Sequence, residues 1–353
     1  MSEKIKIGII GCGGISNSHL HGYQQCDDVE IYAFCDINAE RLAAHAEKYG
    51  VEKTFTDYNE MLKLPELDAV SVCTPNAVHA PATIAALNAG KHVLCEKPMA
   101  TNAEDAKAMR EAAEKNNKLL AIGFVRRYGS DMKILKEMIA NDKLGELYYG
   151  KVCYIRRNGN PGGWFSVKAV SGGGPLIDLG VHVIDYVRYA LGNPKPVSVY
   201  GATFKKLLDR PDIRTPKPYV ARSVNEYSGC DVEDLATAMI RFDNGFVLQV
   251  ETSFSLNLKE DKGDIELFGT KGGVKFAPDM EIFTEMDGFM TDVTLKADTR
   301  LDFEGAFDRE IRHYVDCVKG EDKTKAPAED GIELMRILDA IYESAETGHE
   351  VIL

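Results

Sequence analysis

Three short stretches of this chain carry polar groups where such groups are costly to place. "CEKP", residues 95–98, ends an apolar run with an acid, a lysine and a proline. A lysine carried to the ligand edge by a strand and held by a following proline is either placed for work there or an ordinary surface lysine. "GGGPLIDLGVHVIDYVRYALG", residues 172–192, sets Asp178 four residues before His182, with Asp185 a turn further on, among Leu, Ile, Val and Tyr. Residues four apart share one face of a helix, and polar groups on an apolar helix are unfavourable unless something meets them. Asp178 and His182 therefore either face a ligand cleft or act as a helix cap and a satisfied core histidine. "TPNAVH", residues 74–79, offers Thr74, Pro75 and Asn76 to a ligand, with His79 either lining the same ligand or starting the next helix.

These stretches need a scaffold, and "KIGIIGCGGISNSHL", residues 6–20, begins it. Lys6 to Ile10 reads as a buried strand, and a helix resumes near Ile15 after the turn Gly11-Cys12-Gly13-Gly14. Gly11 permits the tight turn, and Gly13 lets a pyrophosphate approach the backbone at the positive end of the helix. Ser16 stands where the dinucleotide fingerprint has Gly or Ala, a small residue that still allows close packing. Val29 to Cys35 is a second strand ending in Asp36, about 20 residues beyond the glycines, where a carboxylate accepts the two ribose hydroxyls of NAD and repels the 2′-phosphate of NADP. Arg41, on the following helix, is expected to pack or pair on its surface rather than bind phosphate. TPNAVH follows a fourth strand (69–73) and Glu96-Lys97-Pro98 a fifth (92–96), so both fall at strand carboxyl ends, where open α/β sheets bind ligands.

Strands and helices alternate to residue 123, which implies a parallel sheet covered on both faces. From about residue 146 the pattern becomes strands joined by turns, with Asp243-Asn244-Gly245 and Thr270-Lys271-Gly272-Gly273 as hairpin turns. The expected architecture is α/β: a Rossmann dinucleotide-binding domain over 1–123, then an α+β domain over 124–353 with a large, mostly antiparallel open sheet. Helices are expected near 176–190, 306–319 and 330–347.

Composition narrows the partners. A net charge of −13 without a basic run disfavours nucleic acid and anionic membrane surfaces. The eight cysteines include no C-x-x-C pair, which suggests free thiols, a cytoplasmic location and no metal site. No apolar run reaches the roughly 18 residues of a membrane span.

In its motifs the chain resembles the Gfo/Idh/MocA oxidoreductases, the superfamily of glucose-fructose oxidoreductase and inositol 2-dehydrogenase. The resemblance runs through Gly8 to Ile15, Thr74 to His79, Glu96-Lys97-Pro98, "GFVRRY" at 123–128, "GGGPLIDLGVHVID" at 172–185, "GTKGG" at 269–273 and "IYESAETG" at 341–348. It departs mildly at Ser16 and at Tyr128, where Phe is usual. The resemblance implies Lys97, Asp178 and His182 as the catalytic group, a cis Lys97-Pro98 bond, and NAD held by Gly11, Gly13, Gly14, Ile15, Asp36, Thr74, Pro75, Asn76, His79, Glu96 and Lys97. It also implies a sugar, glycoside or cyclitol substrate oxidised at a ring hydroxyl.

For that reaction His182 is the expected proton acceptor, with Lys97 stabilising the oxygen and Asp178 orienting substrate and histidine. Arg127 and Trp164 are further candidates for substrate contact. Arg127 fits the family pattern generally, and Trp164 either stacks on a sugar ring or anchors its loop; Arg156 and Arg157 have no assigned role. An NAD-recycling glycosidase and a non-catalytic NAD-binding regulator are the alternatives. A homodimer or homotetramer through the second-domain sheet is expected.

Overall fold

The computed structural model describes residues 4–207, 210, 212–276, 279–300 and 302–353. The chain forms two compact units, residues 1–128 with 303–332, and residues 129–302 with 333–353.

In the first unit, β1 (Ile5–Ile10), α1 (Ser16–Gln24), β2 (Val29–Cys35), α2 (Ala39–Tyr49), β3 (Lys53–Phe55), α3 (Tyr58–Met61), β4 (Ala69–Val72), α4 (His79–Asn88), β5 (His92–Glu96), α5 (Ala103–Asn116) and β6 (Leu120–Gly123) follow in turn. The strands lie in the order β3-β2-β1-β4-β5-β6 and every pairing is parallel. Burial on both faces explains their near-continuous apolar character: Ala69 to Val72 are all buried. The order in which strands are added along the sheet reverses between β1 and β4, the switch point beyond whose carboxyl ends open α/β sheets bind ligands. The glycine turn and the TPN loop both stand there. Helix α2 shows the local rules plainly, with Asn38 capping its first turn through the Arg41 amide and Gly50 ending it in the left-handed region.

The second unit contains α6 (Ser130–Ala140), β7 (Leu147–Ile155), α7 (Lys168–Ser171), a turn over Leu176–Gly180 that runs into α8 (Val181–Ala190), β8 (Pro196–Phe204), β9 (Leu235–Phe242), β10 (Val247–Ser253), β11 (Ile265–Gly269), β12 (Gly272–Phe276), β13 (Met280–Met286), β14 (Phe289–Thr294) and β15 (Val351–Ile352). Its nine strands lie in the order β14-β13-β12-β11-β7-β10-β9-β8-β15, and only β7 and β10 pair in parallel. Both expected hairpin turns form, Gly245 with φ +85°. Strand β9 alternates strictly: Ala236, Ala238, Ile240 and Phe242 are buried, while Met239 and Arg241 on the other face are exposed.

Helix α9 (Phe303–Val318) belongs to the first unit although it lies far beyond residue 123. Its Ile311, Tyr314 and Val315 join the core of Ile7, Leu20 and Phe34. A Cβ on Gly22 of α1 would come within 2.9 Å of Ile311. The last helix, α10 (Ala328–Thr347), starts in the first unit and continues in the second.

Candidate active site

Gly11 has φ +95°, and a Cβ there would sit 2.6 Å from the Cys73 carbonyl oxygen at the end of β4, so the turn from β1 into α1 admits only glycine at this position. At Gly13 no protein atom lies closer than 4.0 Å to the place a Cβ would take, and Gly14 is exposed. The turn is crowded below and open above, as a phosphate-binding turn must be. Buried Ser16 makes up for the missing glycine by donating its hydroxyl to the Gly13 carbonyl at 2.8 Å.

Asp36, only 7% exposed, accepts four hydrogen bonds. The amides of Cys12 (2.7 Å) and Asn38 (2.8 Å) supply two of them. The others come from Arg41, whose Nε reaches Oδ2 at 3.1 Å and Nη2 reaches Oδ1 at 3.0 Å. The surface pairing expected of Arg41 is thus made with Asp36. Hydroxyls arriving at Asp36 would replace the guanidinium bonds. At the end of β4, Thr74 Oγ1 is buried with no hydrogen-bond partner in the protein, and Asn76 is 5% exposed. An orphaned hydroxyl at this edge suits a ribose hydroxyl, and together these residues fit a dinucleotide.

His79 and Glu96 present their side chains to protein. The His79 ring is 1% exposed, with Nδ1 2.7 Å from the Pro98 carbonyl oxygen and Nε2 2.9 Å from that of Thr74; burial lowers its pKa despite those two contacts. Glu96 is 5% exposed and faces His19, Nε2 to Oε1 2.8 Å. Lys97, between Glu96 and Pro98, is half-buried, and the Lys97-Pro98 bond is cis.

In the second unit, Leu176–Gly180 is wound as a π-helical turn that runs into α8, a widening often found at functional positions. Along residues 176–190 only Asp178, His182 and Tyr189 escape burial. Asp185 is 2% exposed and belongs to the interior. The segment is moored at its amino end. Buried Glu233 accepts the amides of Gly174 (2.9 Å) and Leu176 (3.2 Å) and the Tyr342 hydroxyl (2.9 Å). A Cβ on Gly173 would fall 2.0 Å from Tyr342 Oη, and one on Gly174 2.4 Å from the Glu233 carbonyl oxygen, which explains the glycine run.

Arg127 turns to protein groups. Its side chain is fully buried, paired with Asp330 at 2.7 Å and bonded to the Lys325 carbonyl, so it ties α10 to the first unit's own loop. Trp164 is half-buried, stacks on Phe165 at 3.8 Å between ring centroids and hangs from Ser223 through its amide. Arg156 bonds the Gly159 carbonyl, and Arg157 that of Lys259. Sequence reasoning missed His19 and Glu233; the signal for each is a polar side chain at a buried position of an otherwise apolar pattern.

The pattern described as "Oxidoreductase family, NAD-binding Rossmann fold" matches residues 5–124, and that described as "Oxidoreductase family, C-terminal alpha/beta domain" matches residues 136–353. The chain belongs to the Gfo/Idh/MocA family. This Gfo/Idh/MocA protein is an oxidoreductase whose first unit is an NAD-binding Rossmann domain. It is 36% identical to D-glucoside 3-dehydrogenase of Escherichia coli (strain K12) over 353 residues, 99% of this chain and 98% of that one. It is 31% identical to myo-inositol 2-dehydrogenase of Thermotoga maritima over 270 residues, 76% of this chain and 74% of that one. In fold it matches levoglucosan dehydrogenase, solved with NADH and levoglucosan, at a TM-score of 0.85 and 23% identity, over 99% of both chains. No helix among the described residues is long and apolar enough to cross a membrane, and no group of three or more metal-ligating side chains occurs among them.

Proposed function

We propose that the protein transfers a hydride between NAD and a ring secondary hydroxyl or ketone of a sugar, glycoside or cyclitol. The observation that carries the reading is the pair Asp178 and His182, one turn apart and reachable on a segment otherwise almost wholly buried. When bound, NAD supplies the hydride acceptor or donor. The Gly11-to-Ile15 turn and the first turn of α1 hold its pyrophosphate. Asp36 takes the adenosine ribose, exposed Ile37 offers the adenine an apolar surface, and Thr74, Pro75 and Asn76 meet the nicotinamide ribose. Glu96 and His79 serve the cofactor through the loops they fix rather than by direct contact. NAD should bind at least about tenfold more tightly than NADP, about 1.4 kcal/mol, because Asp36 repels a 2′-phosphate.

His182 takes the hydroxyl proton during oxidation and returns it during reduction, imidazole being the side chain best suited to proton transfer near neutral pH. Lys97 hydrogen-bonds the same oxygen and stabilises its negative charge as the proton leaves. Asp178 orients His182 and the substrate, and Trp164 offers a ring face to a sugar. Residues 1–123 bind cofactor, and 124–353 bind substrate. The names of the relatives favour carbohydrate and cyclitol alcohols. A panel of such compounds incubated with NAD should yield stoichiometric NADH from at least one; NADH from none would count against the reading.

The exposed face of the nine-stranded sheet carries Tyr200 beside Met239, and Tyr149 stacked on Phe268 at 5.8 Å. This face, which also carries the exposed Arg241 and Lys151, is the proposed homodimer or homotetramer contact. Light scattering at micromolar concentration should give a multiple of the 39.0 kDa chain mass; a monomer would refute it.

A further inference from the structure

The turn that carries Lys97 is gripped on both sides by buried histidines. On one side stands His19 of α1, 0% exposed, whose Nε2 meets Glu96 Oε1 at 2.8 Å. The other Glu96 oxygen accepts the Lys97 amide at 3.1 Å. Behind His19, Nδ1 lies 3.1 Å from Ser71 Oγ, which lies 2.7 Å from Tyr23 Oη. A hydroxyl both donates and accepts, so Ser71 satisfies that nitrogen whether or not it carries a proton. Glu96 also has little room to shift: a Cβ on Gly123 of β6 would come within 3.2 Å of its Cα and Cδ. On the other side stands His79 of α4, 1% exposed, with Nδ1 2.7 Å from the Pro98 carbonyl oxygen and Nε2 2.9 Å from that of Thr74; a neutral ring donates to one of the two.

Apolar side chains would fill this interior with less desolvation, and a buried ionic pair is weak evidence for stability. What this network does supply is geometry. The residue before Lys97 is fixed by its carboxylate and the residue after it by its carbonyl, while Lys97 itself remains half-buried. We propose that His19 and His79 are positioning residues that hold the Glu96-Lys97-Pro98 turn so that the Lys97 ammonium meets the reacting oxygen. The proposal rests on the reading of Lys97 given above. Both rings are buried against protein groups, so His19 acts through the turn and His79 through the turn and the Thr74 loop.

A double-mutant cycle on the NAD-loaded enzyme tests this with any sugar or cyclitol the panel finds. His19→Leu should lower kcat by roughly 10- to 100-fold, the scale expected when a catalytic group is displaced by about 1 Å. The NAD dissociation constant, measured by calorimetry, should stay within about twofold, since no cofactor contact is lost. His19→Gln, which keeps a donor for Glu96, should restore most of the turnover. In a Lys97→Ala background, His19→Leu should cost almost nothing more, because residues that act through one group are not additive. His79→Leu should show the same non-additivity in kcat, with NAD also weakened because the ring meets the Thr74 carbonyl of the cofactor loop. If His19→Leu does not fold, Ser71→Ala replaces it, with a smaller loss and the same non-additivity. A full additional loss in the Lys97→Ala background, or NAD affinity falling as far as kcat, would overturn the proposal. Wild-type turnover in Lys97→Ala alone would instead overturn the reading of Lys97.

Discussion

Glu96 in the first unit and Glu233 in the second are buried almost equally, 5% and 4% exposed, yet their acidities move in opposite directions. Burial pushes both carboxyls up. At Glu96 the hydrogen bond and charge of His19, with the Lys97 charge, outweigh it and the pKa falls below 4.5. Among the described residues Glu233 is bonded by the amides of Gly174 and Leu176 and the Tyr342 hydroxyl rather than by a cation, and its pKa rises above 4.5. Each carboxylate moors one part of the proposed catalytic group, the Lys97 turn or the His182 helix. The difference shows two ways to fix a functional side chain: an ionisable partner that keeps the moor charged, or backbone dipoles at a helix start that leave it under strain from desolvation.

The largest effects should come from what the two moorings hold. Lys97→Ala should lower turnover by about 10² to 10³, as for a lost donor to an oxyanion, with NAD affinity nearly unchanged by calorimetry. Equal losses in turnover and NAD affinity would place Lys97 with the cofactor instead.

Glycines separate the moorings from the cofactor turn. Gly174→Ala should destabilise the second unit by about 1–3 kcal/mol through overpacking against Glu233, read as a lower denaturant midpoint. Gly13→Ala, with 4.0 Å of clearance, should leave that midpoint unchanged and weaken NAD. A Gly13 variant with wild-type NAD affinity would put the pyrophosphate elsewhere.

A smaller effect separates the two carboxylates most sharply. The lowered pKa of Glu96 gives stability that is present above 4.5 and is lost as pH falls through its folded value. For Glu233, whose pKa is raised, the stability is full below 4.5 and disappears as pH rises through the folded value. Melting temperatures of Glu96→Gln and Glu233→Gln, each compared with wild type, should therefore diverge with pH. The wild-type advantage over Glu96→Gln should grow towards neutral pH, and that over Glu233→Gln should shrink. Parallel slopes would mean that both carboxylates are held in the same way.

The first sheet was legible because each of its strands is a short apolar run bounded by a turn signal, and because Gly11, Gly13 and Asp36 keep the spacing of a dinucleotide site. The second sheet was legible in its alternation at β9 and its Asn244-Gly245 turn. Helix α6 was not seen, since Ser130 to Ala140 lacks a strong cap and buries only Asp131, Met132 and Leu135. Nor could periodicity reveal that α9 returns to the first unit, which is a long-range packing choice made by Gly22 and Ile311. At the site, residue types single out Lys97, Asp178 and His182 as candidates, but they give no sign that Arg127 pairs with Asp330, 203 residues away. Arg41 was seen as a surface residue, but its pairing with Asp36 depends on side-chain directions that spacing does not fix.

The most direct test of the account is His182→Ala, assayed for turnover on the panel's best substrate and for NAD affinity by calorimetry. The account predicts turnover lower by about 10² to 10⁴, the usual contribution of a general base, and an NAD dissociation constant within about twofold of wild type. Turnover near wild type would contradict it and move the proton to another group.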